Sequence, residues 1–265
     1  MPTERYLASP ALRPFLVAPI EGWEQTNGSL AKLREVPFPG VPLIFGLDTP
    51  WHIEGPESVE SEASFVAGLH AAPAFVRPDA GSWSCVELRL TPVAAHRLLG
   101  LPMHELANRT VPLREVLSDA DELTERLRES PSWPDRFALV EGFLLRRLED
   151  ASSPSREVEW SWHELRRTAG RASIRELADE IGWSHRRLIA RFREQVGLGP
   201  KAVARVMRFD RAVQALRSPA RALADVAYES GYFDQAHMNR DFRELGGTTP
   251  RAFRSSLLDS GGSAA

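Results

Sequence analysis

Two stretches of this chain follow one plan with their second helices starting 50 residues apart, at His185 and Gln235, and no other feature constrains the fold as much. In the first, Ser173-Ile-Arg-Glu176 has the form of a capping box. The helix it opens runs to Ile181 and stops at Gly182, and Ser184 caps a second helix that ends near Val196. In the second, Leu223–Glu229 reads as a short helix. Gly231-Tyr-Phe-Asp234 is the turn, with Asp234 as cap, and Gln235–Leu245 is the second helix. A turn this short sets two helices at a steep angle. Leu177, Ile181, Leu188 and Phe192 are the apolar positions that hold the first pair together. Met238 and Phe242, at i and i+4, point inward in the second.

The outer faces that remain are unlike ordinary surface. His185, Arg186, Ile189, Ala190 and Arg193 face outward on one second helix, and Gln235, Ala236, Asn239, Arg240 and Arg243 on the other. Arg, Gln and Asn are the side chains with bidentate geometry for guanine and adenine edges, and a helix fits the major groove. Between the units, residues 201–216 read as one helix, about 24 Å long at ~1.5 Å per residue. It is a strut of the right order to hold two reading helices near the ~34 Å between successive major-groove segments. Arg205, Arg208 and Arg211 lie along it, and Arg205 and Arg208 are expected to meet backbone phosphate.

With these residues in place, the segment from about Trp160 to Phe253 resembles the DNA-binding domain of the AraC/XylS family. The matching residues are Ile174-x-x-Leu177-Ala178, Gly182-Trp183-Ser184, Leu188-x-x-x-Phe192, Gly197-Leu198-Gly199-Pro200-Lys201 and Arg208-Phe209. They continue with Ala224-x-Val226-Ala227, Gly231-Tyr232-x-Asp234-Gln235-Ala236-His237, Arg240-x-Phe242 and the close Thr249-Pro250-x-x-Phe253. The resemblance implies a transcription regulator that reads two major-groove segments from one polypeptide. The chain departs from the family pattern in two places. Ala190 stands where an arginine is common, with Arg191 one place later, and Ala222 stands where Ser or Thr usually caps the second unit.

The first half has different texture. Residues 42–47, 64–69 and 84–90 read as strands, the last with Val86, Leu88 and Leu90 on one face and Glu87 and Arg89 on the other. Thr91-Pro92 opens a helix to Leu99. Helices are expected over 116–128 and 135–148. The fold class is therefore two domains: an α+β N-terminal domain and an all-α C-terminal domain of two helix-turn-helix units joined by a linker helix. Residues 1–150 form the first, 151–156 the linker, 157–258 the second, and 259–265 a disordered tail by composition. The N-terminal domain resembles the cupin-like sensory domains of such regulators, in particular through Pro92-Val-Ala-Ala95-His96-Arg97-Leu98-Leu99-Gly100-Leu101-Pro102, which implies a small β-barrel followed by helices.

Charge divides the same way. Residues 1–155 hold 14 Lys/Arg against 22 Asp/Glu, and residues 156–265 hold 19 against 14, so an acidic half precedes a basic one. That suggests a polyanion partner for the C-terminal end alone. The N-terminus lacks a long apolar run and no segment approaches ~20 apolar residues, so neither a leader nor a membrane span is expected, and a cytoplasmic location is. A single cysteine, Cys85, excludes an internal disulfide framework. His104-Glu-Leu-Ala-Asn108 and His163-Glu-Leu-Arg-Arg167 each lack the second histidine of the helical zinc motif. Gly197-Leu-Gly-Pro-Lys201 lacks the frame of a phosphate loop. No enzyme, cofactor or metal site is expected.

The expected partners are double-stranded DNA, a small-molecule effector, RNA polymerase and a second copy of the chain. The apolar residues of 135–148, namely Phe137, Leu139, Val140, Phe143, Leu144, Leu145 and Leu148, outnumber what one core-facing stripe needs and suggest a dimer surface. The candidate effector lining is Phe45, Trp51, His52, Phe65 and Trp83. With no Lys/Arg cluster nearby, an apolar or amphipathic effector fits better than a sugar phosphate. The rival reading is a ligand-binding or enzymatic N-terminal domain carried on a non-specific DNA attachment module. Activation and repression are equally open.

Overall fold

The computed structural model describes residues 3–28, 30–55, 59–151, 154–218 and 220–259. The segment expected to be a disordered tail lies outside them from residue 260 onward, as do Ser152 and Ser153 of the linker.

Among the described residues ten strands build two antiparallel sheets. They are β1 (Glu4–Tyr6), β2 (Ile20–Gln25), β3 (Leu33–Glu35), β4 (Val41–Gly46), β5 (Trp51–Glu54), β6 (Val59–Glu62), β7 (Phe65–Ala67), β8 (Ala74–Pro78), β9 (Trp83–Leu90) and β10 (Thr110–Pro112). One sheet runs β1-β2-β9-β4-β7-β10 and the other β3-β8-β5-β6. The α-helices of this half are α1 (Pro92–Leu99), α2 (Leu113–Val116), α3 (Ala120–Glu129) and α4 (Trp133–Asp150).

The larger sheet is covered on both faces, and the two-residue period of its strands decides what each side chain meets. Val41, Leu43 and Phe45 of β4 and Val86, Leu88 and Leu90 of β9 face α1, α3 and α4 in the main core. The alternate residues, Pro42 and Ile44 on β4 and Trp83, Cys85, Glu87 and Arg89 on β9, face the smaller sheet. Glu87 and Arg89 therefore do not form a solvent face.

The helix expected over 116–128 is two helices. Leu117 leaves helical geometry (φ −135°, ψ 104°) and is buried in the core, and Asp119 just beyond it pairs with Arg147. In α4, Phe137, Val140, Phe143, Leu144 and Leu148 are buried within the same chain, and Leu139 and Leu145 pack partly against that core. The apolar excess on this helix is thus absorbed by the chain's own fold.

The C-terminal half is helical throughout: α5 (Arg156–Arg167), α6 (Ile174–Glu180), α7 (His185–Val196), α8 (Pro200–Leu216), α9 (Leu223–Glu229), α10 (Gln235–Gly246) and α11 (Pro250–Asp259). It has two cores that share α8. Val158, Trp162 and Leu165 of α5 join Leu177, Leu188, Phe192 and Val203 in the first. Phe209, Val213 and Leu216 join Val226, Met238, Phe242, Phe253 and Leu257 in the second. Residues of the N-terminal half enter both: Leu69 and, from α1, Val93 pack into the first, Val36 and Ala71 against the second. Among the described residues no helix is long and apolar enough to cross a membrane.

Candidate functional site

Each reading-helix candidate starts at a cap the sequence carries. The Ser184 hydroxyl accepts from Arg187 N at 3.2 Å and Asp234 Oδ1 accepts from His237 N at 2.7 Å. Ser173 caps α6 in the same way. The glycine that ends the first helix of each unit takes a left-handed conformation, φ +67° at Gly182 and +88° at Gly231, which a side chain would strain. Leu188 and Phe192 of α7, and Met238 and Phe242 of α10, are fully buried.

The opposite faces are open. His185, Arg186, Ala190 and Arg193 on α7 are exposed and Ile189 half-buried. On α10, Gln235, Ala236, Arg240 and Arg243 are exposed and Asn239 half-buried. Arg186, Arg193, Arg240 and Arg243 have no ion-pair partner among the described residues. By contrast, Arg191 pairs with Glu194 at 2.7 Å, and Arg187 lies over the Trp183 ring at 4.3 Å. The free arginines are the ones on the outer faces, where they keep their donors for an incoming acceptor.

Arg205 and Arg208 occupy another role than the one expected. Arg205 donates to Asp241 Oδ1 at 2.7 Å and also reaches Glu244, both on α10. Arg208 donates to the Gly170 carbonyl at 2.9 Å. Both are half-buried clasps that fix α8 to its neighbours, because carboxylates and a carbonyl from other elements reach them before solvent does. Arg211 remains exposed.

A second feature lies in the N-terminal half. Between the inner faces of the two sheets is a cavity of about 180 Å³. Trp51, Phe65 and Trp83 of the expected lining surround it. Phe45 and His52 do not: Phe45 has the wrong parity on β4 and sits in the helix-covered core, and His52 alternates outward between Trp51 and Ile53 toward Glu54. Trp23, Glu35, Glu87 and Arg89 line the cavity and escaped sequence reasoning. For Glu87 and Arg89 the available signal is strand parity, since they share a face with Trp83 and Cys85.

Electrostatics at the cavity follow from burial. The Glu35 carboxyl is pushed up to about 7, first by burial and then by the neighbouring Glu87 charge, with Arg89 opposing. Burial pushes the Cys85 thiol up and holds His70 below its ordinary range. Arg89 pairs with Glu87 at 2.7 Å. Its charge also acts on Asp210 of α8, whose carboxyl burial raises against Arg89, Arg217 and a hydrogen bond from Gln214. No group of three or more His, Cys, Asp or Glu that would hold a metal occurs among the described residues.

Residues 177–256 match the family model described as a helix-turn-helix domain. They form an AraC-type helix-turn-helix domain. This AraC-type domain is similar to uncharacterized HTH-type transcriptional regulators of Staphylococcus aureus, 28% identical over 82 residues. The match takes in 31% of this chain and 11% of those proteins, so the chain spans about a ninth of the curated relatives it matches. Among solved structures, ToxT from Vibrio cholerae O395 aligns over 90% of this chain and 98% of its own at TM-score 0.50 and 8% identity. Wild-type ToxT of Vibrio cholerae with bound unsaturated fatty acid aligns over 96% of both chains at TM-score 0.50 and 9% identity. At such identity the likeness is one of fold: a sheet-rich N-terminal half ahead of the AraC-type helical half.

Proposed function

We propose that this chain is a sequence-specific DNA-binding transcription regulator that sets α7 and α10 into successive major-groove segments and takes a small effector in its N-terminal cavity. The observation that carries the DNA reading is the pair of capped helices packed on α8, each with unpaired arginines on its open face. Seventeen residues in α8 make a strut of about 25 Å at ~1.5 Å per residue, of the order that two groove segments ~34 Å apart require.

Contacts between the halves support effector control. Val36, Ala71 and Leu69, from the loops around the cavity, pack on the cores of the two units, and Arg89 in the cavity wall faces the charge of Asp210 on α8. A ligand that moves these residues acts on the strut between the reading helices. ToxT, similar in fold, has been solved with an unsaturated fatty acid bound, and a small ligand in a like architecture agrees with this reading.

Selection of binding sites from genomic fragments by the purified chain, followed by gel shift, tests the proposal. Arg186→Ala and Arg240→Ala are each expected to weaken specific binding by ~1–3 kcal/mol and to relax base preference in a different half of the site. If both variants keep affinity and preference, these helices are not the readers. Salt-sensitive binding without preference in the parent would favour the attachment module.

A further inference from the structure

The cavity has two chemically different ends, and β9 lays them out in order. Its inward residues run Trp83, Cys85, Glu87, Arg89, and at ~3.3 Å per residue Trp83 and Glu87 stand about 13 Å apart along the strand. Trp83 meets Trp51 edge to face at 4.5 Å, and Trp23 and Phe65 complete an aromatic end. The other end holds Glu35, Glu87 and Arg89.

The charges at that end do not balance. Arg89 is paired with Glu87 and lies in the fields of Glu21 and Glu35 as well as Asp210. Glu35 has no hydrogen-bond or ion-pair partner among the described residues. The cations nearest in sequence are turned away: Arg34 on the opposite face of β3 and Lys32 just before the strand both lie against the Phe75 ring, and Lys32 pairs with Glu54. His70 is held toward its neutral form by burial. Two carboxylates therefore face one guanidinium, and a ligand carboxylate or phosphate would meet an excess of negative charge.

Size narrows the ligand further. A cavity of about 180 Å³ is close to the ~150 Å³ that accommodates benzene, so one ring with a short polar arm fits.

We propose that the cavity takes a compact amphipathic cation, a single aromatic ring bearing a protonated amine, with the ring among the tryptophans and the ammonium on Glu35. The proposal rests on the effector reading above and names its ligand class. Ring-on-ring contacts hold the aromatic part, and a desolvated carboxylate gives the ammonium a charge-assisted hydrogen bond. Burial and the Glu87 charge push the Glu35 carboxyl up to about 7 against the opposing Arg89, and a seated ammonium brings it back down.

Three probes of matched shape test this on the full chain: phenethylamine, phenethyl alcohol and phenylacetate, followed by tryptophan fluorescence and calorimetry. The amine is expected to bind about tenfold or more tighter than the alcohol, equivalent to ~1.4 kcal/mol, with phenylacetate weakest. Glu35→Gln is expected to remove the amine's advantage while leaving the alcohol's affinity. On the unmodified chain the same advantage shrinks between about pH 8 and about pH 5, as Glu35 takes up its proton while the amine stays charged. Phenylacetate binding as tightly as the amine, or a pH-independent ratio of amine to alcohol, overturns the ligand class and leaves the effector reading standing. If none of the three binds, the proposed ligand class is overturned.

Discussion

Arg205 decides between two accounts of α8, because a clasp and a phosphate contact fail differently when the side chain is cut back. Its guanidinium sits 2.7 Å from Asp241 Oδ1, and the Asp241 side chain is 4% exposed whereas that of Arg205 is 30% exposed. Arg205→Met leaves a carboxylate almost wholly enclosed without its cation. Breaking a fully buried pair from one side costs ~3–5 kcal/mol. Arg205 lies partly in solvent, so water follows the lost guanidinium, and the expected cost is about 2–3 kcal/mol. In a chain of this size that lowers the unfolding midpoint by about 5–10 °C, at ~2–4 °C per kcal/mol. Removing the stranded charge as well, in Arg205→Met with Asp241→Leu, is expected to restore most of the loss. Thermal unfolding followed by circular dichroism measures the first quantity, and DNA affinity across a salt series measures the second. A phosphate contact would leave unfolding unchanged and flatten the salt dependence by ~0.9 in slope. Unaltered stability together with a reduced slope refutes the clasp.

Two further outcomes follow from local chemistry. Ala222 precedes α9 with φ −66° and ψ 144°, nearly the φ −66° and ψ 148° of Ser184, yet it has no side-chain acceptor; Ala222→Ser is expected to stabilise the chain by ~1 kcal/mol in denaturant unfolding, and no gain means that the α9 start does not limit stability. Glu35 binds its proton more tightly folded, at about 7, than unfolded, at about 4.5. Its ionisation therefore opposes folding, so stability falls as pH rises from about 4.5 through about 7 and is level beyond. The full shift corresponds to ~3 kcal/mol and, with solvent entering the cavity, to about 2 kcal/mol. Glu35→Gln is expected to remove that slope, and identical pH profiles for parent and variant contradict it.

The helical half was legible because its signals are local. A cap, a glycine and an apolar i, i+4 pair all lie within one or two turns of each other, so Ser184, Gly182 and Phe192 announce α7 without reference to the rest of the chain. The clasp at Arg205 was not legible, because helix spacing places an arginine on a surface and says nothing of Asp241, 36 residues on, arriving opposite it. The lining of the N-terminal cavity was not fully legible for the same reason on a larger scale. β2 pairs with β9 across some 60 residues, Trp23 opposite Cys85, and no window along the chain contains both. Alternation in β9 shows that Glu87 and Arg89 share a face; whether water or a second sheet covers that face is a fact about β3, β5 and β8. Phe45 and His52 were drawn into the effector lining by residue type, where parity against Ile44 and Trp51 would have kept them out.

Residues at and beside the cavity wall also pack on the cores of the two helix-turn-helix units, and under the proposed function this bears on how a signal would pass between them. Val36 follows Glu35 directly and packs on the core that contains Phe242 of α10. Leu69 precedes His70 of the cavity wall and packs on the core that contains Phe192 of α7. A ligand that changes the charge or position of Glu35 or Arg89 therefore acts one residue from one core and through space on Asp210 of α8. Packed cores shift between discrete arrangements, so a small displacement at Val36 or Leu69 alters the angle between the units or leaves it unchanged. Any coupling is reciprocal: if the effector changes DNA affinity by ~1–3 kcal/mol, DNA changes effector affinity by the same factor. A cavity near the size of the proposed ligand would suit that role, since filling it would leave its walls no freedom to take up the change without passing it to the loops behind them.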